Sequence, residues 1–193
     1  MNERENFMEW DDLGYALITG ASSGIGEVFA RRLAEQGFDL ILVARRESKL
    51  ENLSQELSNK NNIKAQVLVA DLSKLEHIEN VASLILDTAN LDVLINNAGY
   101  GIYKPFIERD NKQNAEMINV HYTAPVMLCH AAIKGMLKRK KGVIINVSSG
   151  MVIARAAVMY SSSKAAVTAF TELLNTEVRK SGIHIQAICP GYT

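Results

Sequence analysis

Cysteine is scarce in this chain. Cys129 and Cys189 are the only two thiols among 193 residues, and neither stands at metal-ligand spacing, which argues against a disulfide framework or a zinc site. Each is expected to be a small buried apolar side chain. Net charge is lacking as well: 21 acidic side chains balance 21 basic ones, giving no support to nucleic-acid binding or to attraction towards an anionic membrane. No apolar run approaches membrane-spanning length, and Met1-Asn2-Glu3-Arg4-Glu5-Asn6 has neither the basic start nor the apolar centre of a secretory signal. A reducing cytoplasm is the expected setting. Linkers, low-complexity tracts and solenoid periods are missing too. His77, His121, His130 and His184 are scattered without ligand spacing, so each reads as structural or surface, none as a catalytic base, and no metal site is expected. The Lys138-Arg139-Lys140-Lys141 run reads as a solvated helix end meeting its last carbonyls. The partners left are small molecules and other subunits.

What the chain does have is alternation. Its 48% apolar content is enough for one sizeable core. Residues 1–14 read as a polar arm with Phe7 and Trp10 as its large apolar anchors, and residues 15–193 as the folded domain. Apolar runs at 15–19, 39–44, 65–70, 91–96, 142–148 and 183–189 read as strands. Helical spacing falls at 25–36, 46–59, 74–89, 111–138 and 157–181, with Gly37 as the cap of the first helix. Runs such as Leu40-Ile41-Leu42-Val43 are apolar throughout, implying burial on both faces. The fold class is therefore α/β, a doubly wound parallel sheet of Rossmann type in a single domain, with ligands expected beyond the carboxyl ends of its strands.

Several positions carry chemistry. In Thr19-Gly20-Ala21-Ser22-Ser23-Gly24-Ile25-Gly26, Gly20 lets the chain leave the first strand sharply, while Gly24 and Gly26 let phosphate oxygens approach the backbone and the helix end. Arg45 and Arg46 end the second strand where the adenosine ribose would be read. A guanidinium there, in place of the acid that would favour a free 2′-hydroxyl, points to a 2′-phosphate and so to NADP. Asp71, with Leu72 at the third strand end, could accept from the adenine amino group or cap the next helix, for which Ser73 is a comparable candidate. Asn96, Asn97, Ala98 and Gly99 close the fourth strand with two amides and two small residues, letting cofactor and backbone come close.

Asn119 interrupts an apolar helix and is expected to bend it and hold a water. Ser148 and Ser149 leave the fifth strand where a hydroxyl could steady a substrate carbonyl oxygen. Tyr160 and Lys164 lie one helical turn apart, and an ammonium on the same helix face can lower a phenol pKa from about 10 towards the range useful for proton transfer.

Taken in order, TGASSGIG, NNAG, Asn119, VSSG, YSSSK and PGYT resemble the short-chain dehydrogenase/reductase family, in its larger branch with one Rossmann-type domain. The resemblance spans residues 15–193. It implies NADP(H)-dependent hydride transfer between the nicotinamide and a small carbonyl or alcohol, with Tyr160 as general acid/base. Lys164 would lower its pKa and hold the nicotinamide ribose, Asn119 would serve the proton relay, and Pro190, Gly191 and Thr193 would line the nicotinamide. Ser149 best matches the substrate-orienting serine, with Ser148 left open because the loop to Tyr160 is shorter than the family's. The alternative reading is an NADP(H)-binding sensor or assembly subunit. Family members continue past this threonine with a substrate lid and a further strand, so the chain is expected to be truncated after its sixth strand, leaving residues 183–189 at or near a sheet edge. A homodimer or homotetramer is implied, with Ala165, Ala166, Val167, Ala169 and Phe170 apolar around much of their helix.

Overall fold

Each apolar run becomes a strand in the computed structural model, which describes residues 12–102, 104–150 and 157–191. Phe7, Trp10 and Thr193 lie outside the described residues. Strands β1 (Tyr15–Thr19), β2 (Asp39–Ala44), β3 (Ala65–Val69), β4 (Leu91–Asn96), β5 (Gly142–Val147) and β6 (Ile183–Ile188) pair in parallel in the order β3-β2-β1-β4-β5-β6. Helices α1 (Gly24–Glu35), α2 (Glu47–Asn61), α3 (Leu75–Asp87), α4 (Asn111–Ile118), α5 (Ala124–Arg139) and α6 (Val158–Val178) fill the crossovers. This is the doubly wound Rossmann-type sheet. The strand order reverses between β1 and β4, which opens a crevice at their carboxyl ends.

Burial follows strand position. All of β4 is buried and β1 and β2 are buried beyond their first residues, as continuous apolar runs between two helical layers should be. The edges differ: β6 alternates buried Ile183 and Ile185 with exposed His184 and Gln186, and β3 is only partly covered. Two cores result. Leu17, Ile41, Leu94, Leu128, Met136 and Ile185 belong to the side of α3 and α5, where Phe170 and Leu174 of α6 also pack. Ile18, Leu40, Leu42, Leu50, Leu57 and Ile95 belong to the side of α1 and α2.

Some expectations change in detail. The long helix foreseen over residues 111–138 is split by a π-helical turn at Asn119–Thr123, where the Ala124 N–H bonds to the Asn119 carbonyl, so the bend lies where Asn119 marks it. Neither Asp71 nor Ser73 caps α3. Lys74 holds that position without a side-chain cap, because the Asp71 carboxylate instead accepts the Ser73 N–H at 3.1 Å. Gly37 ends the first helix as expected, at φ +95°, its N–H donating to the Ala34 carbonyl.

Cys129 is buried, which pushes its thiol up to about 12, but Cys189 is exposed, since it lies just past the end of the edge strand. Within the basic run Lys138 and Lys140 are exposed at the helix end, whereas the other two side chains reach the neighbouring strand. Arg139 donates to the Ala89 and Leu91 carbonyls, and Arg139 and Lys141 pair with the buried Asp92 carboxylate at 3.5 and 2.7 Å. That lock closes the amino-terminal end of the sheet, opposite the crevice. Among the described residues no helix is long and apolar enough to cross a membrane.

Candidate active site

The crevice is built by two loops that are stitched together. Thr19 Oγ1 accepts the N–H groups of Asn97 and Ala98 at 3.0 and 3.1 Å, and Asn97 Nδ2 donates to the carbonyls of Thr19 and Gly20. Gly20 sits at φ +67°, and a Cβ there would stand 2.8 Å from Asn97 Nδ2. Gly26 is just as constrained: a Cβ would fall 2.4 Å from both Gly20 O and Asn97 Nδ2, so its smallness serves the joint between α1 and the strands rather than a phosphate. Gly24 is the open one. At φ +57° nothing lies within 4 Å of its Cβ direction, and the first turn of α1 lacks a side-chain cap, leaving backbone N–H groups facing free space.

At one end of the cleft the Ser22 and Ser23 hydroxyls hold Arg46. Its Nη2 donates to Ser22 Oγ at 2.8 Å and Ser23 Oγ at 2.6 Å, and Nε to Ser22 Oγ at 3.1 Å. Arg45 also lines the cleft, without that seat. Asp71 and Leu72 face them. Burial pushes the Asp71 carboxyl up, but hydrogen bonds from Ser73 and the charges of Arg45 and Lys74 outweigh it, leaving the pKa below the usual carboxylate value. The Asp71 N–H donates to His77 Nδ1, which gives that histidine its structural role.

The far end gathers Tyr160, Lys164, Ser148, Ser149, Pro190 and Gly191 around the same cleft of about 390 Å³. Lys164 is 4% exposed, its ammonium donating to the Val147 carbonyl at 2.6 Å, and burial lowers its pKa to about 8. Ser148 is committed to α6: its hydroxyl donates to the Lys164 carbonyl at 2.9 Å and lies 2.7 Å from Thr168 Oγ1. Ser149 lines the cleft, whereas Asn119 stands back from it, donating through Nδ2 to the Ser73 carbonyl at 2.8 Å. The helix after Asn119 supplies Val120 instead.

One participant was not foreseen. His121, 1% exposed, lies between Tyr100 and Tyr160, its ring edge-to-face with both at centroid distances of 5.7 and 5.4 Å. Burial and then the Lys164 charge push its pKa down to about 3. The available signal was its place two residues after Asn119, in the turn that the asparagine bends.

The sequence profile of short chain dehydrogenases matches residues 14–193. The chain belongs to the short-chain dehydrogenase/reductase family. This family member is 34% identical over 184 residues to the very-long-chain 3-oxoacyl-CoA reductase of Anas platyrhynchos, covering 92% of its own length and 59% of the relative's. It is 30% identical over 182 residues to the inactive hydroxysteroid dehydrogenase-like protein 1 of Homo sapiens, where the shares are 92% and 55%. The chain thus spans a little over half of each of these relatives.

Among solved structures, the short-chain dehydrogenase of Sphingobium yanoikuyae in complex with NADPH superposes with a TM-score of 0.91 at 33% identity, over 94% of this chain and 72% of that one. The bulky-bulky ketone specific alcohol dehydrogenase of Comamonas testosteroni gives 0.91 at 32%, over 94% and 73%. The family is one of oxidoreductases that use a nicotinamide dinucleotide, and the Sphingobium structure is a complex with NADPH.

Proposed function

We propose that this family member is an NADP(H)-dependent oxidoreductase acting between a carbonyl and the corresponding alcohol. The observation that carries the reading is one continuous cleft with the open Gly24 turn and the Arg46 seat at one end and Tyr160 beside Lys164 at the other. The residues fit the cofactor. Uncapped N–H groups at the start of α1 suit a diphosphate, and a guanidinium already oriented by two hydroxyls suits a 2′-phosphate. The NADPH complex of the Sphingobium relative supports the same choice.

When bound, the cofactor supplies the hydride. This chain supplies orientation and the proton. Tyr160 protonates the carbonyl oxygen in reduction and removes the same proton in oxidation, and the Lys164 cation stabilises the phenolate that either direction requires. Ser149, which lines the cleft and best matches the family's substrate-orienting serine, orients the oxygen. Asn119 contributes by setting the π-helical turn that brings Val120 and His121 inward. Gly20, Asn97, Ala98 and Gly99 form the floor, with Ile25, Arg45, Asp71 and Leu72 around the adenosine and Pro190 and Gly191 at the nicotinamide.

Substrate identity belongs to the whole protein. Ala166, Ala169 and Leu173 leave an apolar stripe exposed on α6, which supports self-association as a dimer or tetramer. The test is the oxidation of NADPH and of NADH by the full-length protein across a panel of aldehydes and ketones. NADPH-selective turnover is expected, and its absence with every compound would contradict the reading. A second reading, a cofactor-binding protein without catalysis, is favoured by the similarity to the inactive human relative. NADPH binding without turnover would select it.

A further inference from the structure

We infer that His121 is a positioning residue for Tyr160: as a neutral imidazole protonated on Nδ1, it ties the backbone of Tyr160 to the cleft loop at Tyr100 and braces the phenol ring edge-on. This rests on the reading of Tyr160 as the proton donor. It adds a residue whose spacing gave no hint of a role in the site.

The proton placement follows from both ends of one hydrogen-bond chain. The Tyr100 N–H donates to His121 Nε2 at 3.1 Å, and a backbone amide can only donate, so Nε2 is bare. On the other side Nδ1 lies 2.9 Å from Ser163 Oγ, and the Ser163 hydroxyl donates at 3.0 Å to the Tyr160 carbonyl. A hydroxyl has one proton, so Ser163 must accept from Nδ1–H. The chain therefore runs in one direction, from the Tyr100 amide through imidazole and hydroxyl to the peptide of Tyr160.

Packing leaves the ring little freedom. A Cβ on Gly99 would lie 3.4 Å from Lys164 Nζ and 3.5 Å from His121 Nε2, ordinary contact distances that place both side chains against the same piece of backbone. The cations Lys164 and Arg109 act on His121 from α6 and from the segment before α4, and the phenols of Tyr100 and Tyr160 flank it. A second positive charge is disfavoured there. Burial and Lys164 both hold the ring neutral, the state the hydrogen-bond chain demands.

The consequence is mechanical. α6 presents Tyr160, and residues 97–101 form the floor of the cleft. His121 bonds to both, to the Tyr100 amide and to Ser163 on α6, so it fixes the distance between phenol and floor. Loss of such a brace affects the alignment of proton transfer more than cofactor affinity.

The experiment has two arms, both on the full-length protein. In the first, nitrogen NMR with labelled histidine, assigned by comparison with His121→Phe, reads the ring directly without cofactor or turnover. The expected result is a proton on Nδ1 and a bare Nε2 from neutral pH down to about pH 4. An Nε2–H tautomer, or titration at an ordinary histidine pKa, would overturn the inference.

The second arm compares kcat and NADPH affinity in His121→Phe, His121→Gln and Ser163→Ala. Phenylalanine fills the space but removes both bonds, and kcat is expected to fall roughly ten- to a hundredfold while NADPH affinity stays near the parent's. Glutamine carries one acceptor and one donor and should recover part of the loss, and Ser163→Ala should fall between. Parent-like kcat in His121→Phe, or a loss of kcat no larger than the loss of folded protein, would overturn the positioning role. If the parent shows no turnover, the activity reading fails and the NMR arm alone decides the brace.

Discussion

The Lys164 ammonium is held 2.6 Å from the Val147 carbonyl oxygen, almost out of reach of water. Burial moves its pKa from 10.5 to about 8, which at about 1.4 kcal/mol per unit costs the fold about 3 kcal/mol near neutrality. Below pH 8 folded and unfolded chains both carry the proton and the cost is present in full. Between pH 8 and 10.5 the unfolded chain binds a proton that the folded one does not, so stability rises with pH. Lys164→Met removes the charge and one hydrogen bond, and should stabilise the fold at pH 7 by about 1–2 kcal/mol while abolishing turnover. Urea unfolding at pH 7 and pH 10 checks this. The advantage should shrink at the higher pH, and a variant less stable than the parent at pH 7 would refute it.

Gly24 and Gly26 separate binding from folding. Gly26→Ala drives a methyl into the Gly20 carbonyl and the Asn97 amide and should destabilise the protein by about 2–3 kcal/mol. Gly24→Ala meets no neighbour, so its cost is the left-handed backbone alone, about 1 kcal/mol, yet its methyl projects into the space left for an anion. Thermal melts and NADPH titrations of both variants should therefore rank them oppositely on stability and on retained binding per folded molecule.

Arg46 is seated and Arg45 is not. Arg46→Ala should weaken NADPH binding by about tenfold or more and leave NADH nearly unchanged, as expected for loss of a charge-assisted contact to one phosphate. Arg45→Asp should shift the ratio towards NADH by a smaller factor. Isothermal titration with both cofactors measures the two effects, and an unchanged ratio in Arg46→Ala would remove the 2′-phosphate assignment.

Asp92 lies at the other end of the sheet, 2% exposed, between Arg139, Lys141 and the Gly14 N–H. Asp92→Ala should cost about 3 kcal/mol, because it strands the cations and the amide, and should leave NADPH affinity unaltered. Chemical denaturation and a binding titration of the variant give both numbers.

Much of this was legible beforehand because the central strands are largely apolar runs and the glycine-bearing turns after β1 and β4 are built of small residues. The alternation fixed the sheet, and the parallel order placed Gly20, Asn97, Tyr160 and Lys164 in one cleft. Local patterns failed where a side chain found a distant partner. Asp71 was available as a cap but turned to the Ser73 amide, and the basic run met a buried carboxylate from the neighbouring strand end. His121 was passed over because ligand spacing is a test for metal sites, whereas its partners, a backbone amide and a helix serine 42 residues away, leave no periodic trace. Cys189 was misjudged as buried because apolar composition alone does not distinguish a central strand from the end of an edge strand.

The proposed chemistry depends on one hydroxyl. Tyr160→Phe keeps the ring, its contact with His121 and the cleft floor, and removes only the proton donor. The direct measurement is NADPH oxidation by parent and variant on the same carbonyl substrate, with NADPH affinity measured in parallel. The account predicts a loss of at least about a hundredfold in kcat at unchanged affinity. Turnover undiminished in the variant would contradict it.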